Sequence, residues 1–294
     1  MLLENVTDMS RFINPFTDYG FKLIMGRNSD GEFLRDFLNE LLHDTPEFEP
    51  IVNITYECSE LTKEHPEGRN VVYDILCTTD GGHRFIVEMQ NGSQPFFIDR
   101  SDFYVSRSVY AQGVPGRWNF RLLPVYFVAL MGFTMDELDR RLVVTASLRD
   151  DLTFKPISSK KRYIYIQLPL FDKAPEECSN GFDMWIYTLK NLTTMEAIPF
   201  TGMKPLFKRL EDVASYANLG DQARAAYEAD LQVYNDMFNQ LEYAEYKGRA
   251  EGEAKGRAEG EAKGRVEANR ENALKMQTLG LDSDTIFNVT GIRL

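Results

Sequence analysis

Two runs rich in β-branched and aromatic residues, Val71-Val72-Tyr73-Asp74-Ile75-Leu76-Cys77 and Arg84-Phe85-Ile86-Val87-Glu88-Met89-Gln90, flank the turn signal Asp80-Gly81-Gly82. This grammar specifies a β-hairpin. If the loop runs from Asp80 to Gly82, Thr79 faces His83, and counting outward sets Asp74 opposite Glu88 and Val72 opposite Gln90. Asp74, Glu88 and Gln90 then share one face. A two-residue loop sends Glu88 to the other face, because strand side chains alternate with a period of two. Apart from these residues both arms are nearly continuous apolar runs, the pattern of strands covered on both faces.

Two carboxylates directly across an antiparallel pair have Cβ atoms about 4.5 to 5.5 Å apart; in a buried sheet they repel each other and lose hydration. One carboxyl can stay protonated, a Lys or Arg can intervene, or a hard cation such as Mg²⁺ or Mn²⁺ can bridge them through oxygen ligands. The plain alternative is an exposed strand pair with both acids in solvent. Asp is depleted in strands, however, so an isolated Asp at a strand centre calls for a reason.

An Asp on one strand followed by Glu-x-Gln on the next resembles the PD-(D/E)XK nuclease superfamily, and the details resemble its Rpn family of recombination-promoting nucleases and transposases. The supporting residues are Asp18-Tyr19-Gly20-Phe21-Lys22, Phe37-Leu38-Asn39-Glu40-Leu41-Leu42, the stretch from Arg100 to Tyr110, and Leu123-Pro124-Val125-Tyr126. The likeness spans roughly residues 12 to 240, and the acidic hairpin with its Gln is the most specific part. It implies an α/β, restriction-endonuclease-like core of helix, three-strand meander, helix and strand, followed by additional C-terminal helices and a charged helical tail. It also implies a metal-dependent DNA endonuclease associated with recombination or transposition, with Mg²⁺ or Mn²⁺ as cofactor. Under that resemblance Asp74 and Glu88 hold the ion, the Met89 carbonyl completes its coordination and Gln90 aims the attacking water. Met89 points its side chain into the core, since alternation turns it away from Glu88 and Gln90.

Two residues depart from the superfamily pattern. Tyr73 stands where the name has Pro, which carries no chemistry. Gln90 stands where the name has Lys. Lys stabilises developing negative charge or helps deprotonate water, whereas a Gln amide orients water by hydrogen bonds and has no proton to exchange. Lys22, on the first helix with Asp18, is a candidate for the missing cation. Equally, Asp18 and Lys22 at i and i+4 form an ordinary surface ion pair worth about 0.2 to 0.5 kcal/mol.

A hydrophobic fraction of 43% and an aromatic fraction of 12% in 294 residues are enough for one sizeable core plus appendages. The opening Met1-Leu2-Leu3-Glu4-Asn5 lacks a basic region followed by a long apolar run, so neither a signal peptide nor a membrane span is expected and the cytoplasm is the expected location. Cys58, Cys77 and Cys178 match no zinc spacing and are too few for a disulfide framework. His43, His65 and His83 show no ligand spacing either; His43 follows a helical Leu-Leu pair and complements that helix's C-terminal dipole.

A net charge of −12 counts against DNA as partner, because non-specific affinity comes from neutralising phosphates with Lys and Arg. The charge is uneven, though. Lys155, Lys160, Lys161 and Arg162 form a basic run, and Arg100, Arg107, Arg117 and Arg121 cluster around the helix after the hairpin. Either group could line a phosphate groove, or residues 160 to 162 could be a solvated strand entry.

The coarse order is a helix over 15 to 43, a strand over 50 to 58, the hairpin, a helix over 97 to 112, strands over 121 to 131 and 162 to 168, and helices from 180 onward. Residues 1 to 240 form the nuclease-like domain, 241 to 271 a charged Gly/Ala spacer and 272 to 294 a short two-helix module. The octad Gly248-Arg249-Ala250-Glu251-Gly252-Glu253-Ala254-Lys255 repeats from Gly256 to Lys263 and loosely from Gly264. Opposite charges at every i,i+4 step contribute about 2 to 4 kcal/mol in all. The five glycines cost about 4 to 5 kcal/mol relative to Ala. Such a helix is marginal alone; it is either a frayed spacer or, through its small-residue stripe, a homo-oligomer contact. Further on, Gly280 is the stop signal and Asp282 or Ser283 the next N-cap.

Two function classes remain on sequence grounds. One is the metal-dependent endonuclease. The other is a nuclease fold kept as a non-catalytic binding or oligomerising protein, with the acidic hairpin as a relic.

Overall fold

The computed structural model describes residues 10–26, 30–46, 48–58, 60–61 and 71–294; the chain start and His65 lie outside them. In chain order the elements are α1 (Asp18–Met25), α2 (Glu32–Leu42), β1 (Ile54–Tyr56), β2 (Glu60–Leu61), β3 (Val71–Val72), β4 (Ile75–Thr79), β5 (Arg84–Gln90), α3 (Phe97–Tyr110), β6 (Val125–Met131), β7 (Val143–Arg149), β8 (Pro156–Gln167), α4 (Gly181–Asn191), α5 (Pro205–Ala214), α6 (Asp221–Thr278) and α7 (Ser283–Thr290). Two compact units divide the chain, Met1–Tyr234 and Asn235–Leu294.

The first unit is a mixed α/β structure built on a six-stranded sheet in the order β1-β4-β5-β6-β8-β7. Antiparallel β1, β4 and β5 come first. The chain then crosses over through α3 to lay β6 parallel to β5, as a parallel neighbour requires. All seven residues of β6, Val-Tyr-Phe-Val-Ala-Leu-Met, are buried, which is why this central strand shows no polar alternation. β8 runs parallel to β6, and β7 closes the far edge antiparallel to β8.

Each sheet face has its own core. On one, Ile75, Cys77, Phe85 and Val87 meet the apolar stripes of α1, α2, α4 and α5, with Met89 packed against them as alternation predicts. Trp185 of α4 is the centre of this layer, ringed by Phe33, Phe37 and Phe207. Its indole N–H donates to Asp36, which also holds Lys204 at 3.0 Å. The other face carries Leu76, Ile86, Phe127 and Tyr165, covered by Phe97 and Val105 of α3.

Several local features differ from the sequence reading. The single helix read over 15 to 43 is two, because Asp30 and Gly31 take positive φ (51° and 71°) ahead of α2. The first hairpin arm is not continuous either: β3 pairs with β2, and the chain bends at Tyr73-Asp74 before β4 begins. The edge strand β7 had no expectation attached to it, since its outward half is polar, and β8 starts at Pro156 rather than near 162. Among the described residues no helix is long and apolar enough to cross a membrane.

In the second unit the charged octads are helical, as part of α6. The i,i+4 pairs Arg249–Glu253 (3.1 Å), Lys247–Glu251 and Lys255–Glu259 (both 3.9 Å) are formed. Asp282 caps α7 through the Thr285 N–H, and Gly280 has φ +82°. Ile286 and Thr290 of α7 are buried with Ala273.

Two expected outcomes follow from the glycines. A Cβ on Gly20 would sit 2.1 Å from the Asn14 carbonyl oxygen and 2.8 Å from Thr17 Oγ1, whereas at Gly220 it meets nothing within 4 Å. Gly20→Ala is expected to lower stability by about 1 to 3 kcal/mol in urea unfolding, while Gly220→Ala leaves it nearly unchanged. The glycines at 248, 252, 256, 260 and 264 also face open space. Replacing all five with Ala is expected to stabilise the tail helix by about 4 to 5 kcal/mol, read as a higher melting temperature in the circular dichroism signal at 222 nm.

Candidate active site

The hairpin register is the one that the three-residue loop demands. Ile75 pairs with Val87, Leu76 with Ile86, Cys77 with Phe85 and Thr78 with Arg84, and the Thr79 N–H donates to the His83 carbonyl at 2.9 Å. Gly82, at φ +77°, closes the turn. Stepping outward by twos from Thr79 and His83 makes Ile75–Val87 and then Tyr73–Met89 the hydrogen-bonded pairs.

At that last pair the ladder ends. β4 has already bent away, so the Met89 N–H has no strand carbonyl to meet. It donates instead to Asp74 Oδ2 at 2.8 Å, and the Asp74 N–H donates to Glu88 Oε1 at 3.2 Å. One bond thus joins Asp74 to Glu88 directly, and a second ties the Asp74 carboxylate to Met89, the next residue of β5. Glu88 is only 2% exposed and Gln90 9%; Asp74 is partly buried. Exposed strand acids are therefore not what the structure contains.

Burial raises the pKa of Glu88, and the neighbouring Asp74 carboxylate raises it further; Arg100 and Lys22 pull it back. The pKa of Asp74 is raised too, chiefly by burial, against the Met89 hydrogen bond and the pull of Lys22 and Arg100, with Asp18 adding to the rise. Asp18 and Lys22 therefore lie within electrostatic reach of the pair. They also bond each other at 2.7 Å, with roughly half of each side chain exposed, which is the surface ion pair the i,i+4 spacing describes. α1 is fixed beside the site by Asn91, whose Nδ2 donates to the Phe16 carbonyl at 2.6 Å.

The cation closest to the carboxylates comes from α3. Arg100 Nη2 lies 3.5 Å from Glu88 Oε2, and Nη1 donates to Gln90 Oε1 at 3.5 Å and Gln94 Oε1 at 2.9 Å. Its Nε donates to the Tyr104 hydroxyl at 3.0 Å and the guanidinium stacks on that ring, 5.0 Å from the centroid. The Tyr104 carbonyl in turn accepts from the buried Tyr73 hydroxyl at 3.1 Å. Arg100 was visible in the sequence only as one of four arginines around this helix, and Tyr104 was not singled out. Their i,i+4 spacing was the available signal. The Gln90 amide Nε2 donates to the Gly92 carbonyl at 3.3 Å.

Among the described residues no group of three or more His, Cys, Asp or Glu is placed to hold a metal ion. What is present is a two-carboxylate, all-oxygen donor set, buried and short of positive charge. Such a set suits a hard dication that keeps several waters. In a strand one residue's N–H and C=O leave on the same side, so the Met89 carbonyl leaves β5 on the side that faces β4, as its N–H does.

No curated protein and no solved structure matches the chain. A family model does match, over residues 15–244, which is more than half of the 294 and includes both α1 and the whole acidic hairpin. That model describes the PD-(D/E)XK nuclease family transposases, and the chain belongs to this family.

Proposed function

We propose that this chain is a metal-dependent DNA endonuclease, acting in recombination or transposition, with its centre at Asp74, Glu88 and Gln90. The observation that carries the reading is the pair of bonds at the ladder's end, Asp74 N–H to the Glu88 carboxylate and Met89 N–H to the Asp74 carboxylate, which keeps two carboxylates together in a buried place. Family membership supports a nuclease, and divalent ions are general in that family.

Asp74 and Glu88 would hold Mg²⁺ or Mn²⁺, with the Met89 carbonyl as a further oxygen ligand. When bound, the ion lowers the pKa of an attacking water and polarises the phosphoryl oxygens. Gln90 orients that water by hydrogen bonds without exchanging a proton. The positive charge that a motif Lys would bring is supplied by Arg100, which sits against both Glu88 and Gln90. Tyr104 and Gln94 fix the guanidinium, so the charge is already in place before substrate arrives. Lys22 adds charge from the α1 side, with Asp18 holding its ammonium. DNA is the partner this chemistry takes, and the tail is a spacer or self-association element outside the centre.

Purified protein incubated with plasmid DNA and Mg²⁺ or Mn²⁺ tests the reading. Wild type is expected to nick or linearise the plasmid, and Asp74→Ala and Glu88→Ala to lose cleavage. Arg100→Gln is expected to slow it by about a hundredfold, the usual loss for one charge-stabilising donor. Equal rates for all four proteins, or no cleavage by wild type across metals and salt, contradict it.

A further inference from the structure

We propose that the sheet end remote from the carboxylates binds single-stranded nucleic acid, so that a strand held there leads into the site. This deepens the nuclease reading and rests on it for the identity of the polymer.

The first support is charge. In a chain of net −12, residues 103–135 contain Arg107, Arg117 and Arg121 and no Asp or Glu, and residues 152–171 contain Lys155, Lys160, Lys161 and Arg162 and no Asp or Glu. The fold lays these stretches side by side, since β6 pairs with β8 from Val125–Lys161 onward. Nearby acids are Asp102, which takes the Tyr163 hydroxyl and lies 3.9 Å from Lys161, Asp150 and Asp151 in the β7–β8 turn, Glu57, which Arg84 pairs with, and Glu49, which lies within electrostatic reach of His83 as Lys160 does. Asp150 is engaged by the Leu152 and Thr153 N–H groups.

The second support is the aromatic side chains. Phe120, in the loop entering β6, is 76% exposed, and its ring lies 4.8 Å from that of Trp118. Phe154, at the β7–β8 turn, is 70% exposed. Both hold positive φ (56° and 55°), a region that bulky residues rarely adopt. Neither ring gains burial from that backbone. Exposed rings among cations are the elements that bind single strands without sequence preference: the rings stack on bases and the cations track phosphates.

The third support is shape. β8 starts five residues before Lys161, the residue that meets the first residue of β6, and through two register shifts Ser158 and Pro156 still pair with Leu148 and Arg149 of β7, so the β7–β8 hairpin continues as a short, bulged arm beyond the sheet. Between arm and loop opens a cleft of about 500 Å³ lined by Asp102, Val109, Leu122, Lys160, Lys161 and Tyr163, a size suited to a nucleotide. α3 runs from Arg100 at the site to Tyr110 toward this end, a length of about 15 Å. About four or five stacked nucleotides, at about 3.4 Å each, cover that distance.

Trp118 provides the test, because the chain's other tryptophan, Trp185, is fully buried. A thymidine oligomer of about twenty nucleotides, long enough for the site sizes of such proteins, is titrated in EDTA while tryptophan emission is followed. Quenching is expected, with affinity falling steeply as salt rises. Phe120→Ala and Phe154→Ala should each weaken binding about 5- to 100-fold, the usual effect of losing one stacked base, with unchanged circular dichroism. Absence of quenching, unchanged affinity in both Phe variants, or ring-independent binding of a blunt duplex at equal strength overturns the proposal. Light scattering that shows these variants breaking a dimer also overturns it, by assigning the surface to a second copy. Quenching without plasmid cleavage leaves this surface standing and removes the nuclease reading; cleavage without quenching does the reverse.

Discussion

The hydrogen bond from the Met89 N–H to the Asp74 carboxylate is the constraint on which the site depends. β4 leaves the ladder one pair before β5 does, and a carboxylate replaces the missing strand carbonyl. That substitution holds Asp74 against Glu88, whose own carboxylate accepts the Asp74 N–H. The arrangement is costly. Burial raises both carboxyl pKa values above their ordinary range, so the folded chain binds protons more tightly there than the unfolded one does. The pair therefore weakens the fold as pH climbs from that ordinary range toward the raised values. Arg100 offsets part of this from 3.5 Å, and a dication would offset more.

The hairpin was legible in the sequence because strand pairing is a parity problem. Once the Asp80-Gly82 loop is counted as three residues, every partner up to Ile75 and Val87 follows, and Met89 falls to the opposite core. The bend at Tyr73-Asp74 was not legible, since Val71 to Cys77 reads as one unbroken β run; the pairing of β3 with β2 takes the chain elsewhere. Arg100 was hidden for another reason. Ten residues beyond Gln90, its reach to Glu88 is set by how α3 lies on the sheet, a tertiary fact that a local pattern does not carry. β7 escaped because an edge strand that is only half covered need not look apolar.

An acidic chain and a polyanionic substrate are reconciled by where the charges sit. The octad tail, residues 248–271, carries six acids and six Lys or Arg and so adds nothing to the net charge, while other acids are spent on fixing helices, as Asp36 and Glu40 are on Lys204. The cations of β8 and of the loop before β6 stay together at one end of the sheet, while Arg100 serves the other. Net charge describes solubility and long-range attraction; local charge decides what a particular face can hold.

The central claim is that Asp74 and Glu88 jointly form a divalent-ion site. Anomalous scattering from a crystal of this protein soaked in Mn²⁺, without DNA, measures that directly. One peak lying about 2.1 Å from an oxygen of each carboxylate, and lost in Glu88→Gln, is the predicted result. Density for the ion elsewhere, or none at the pair while Arg100 remains against Glu88, would contradict it.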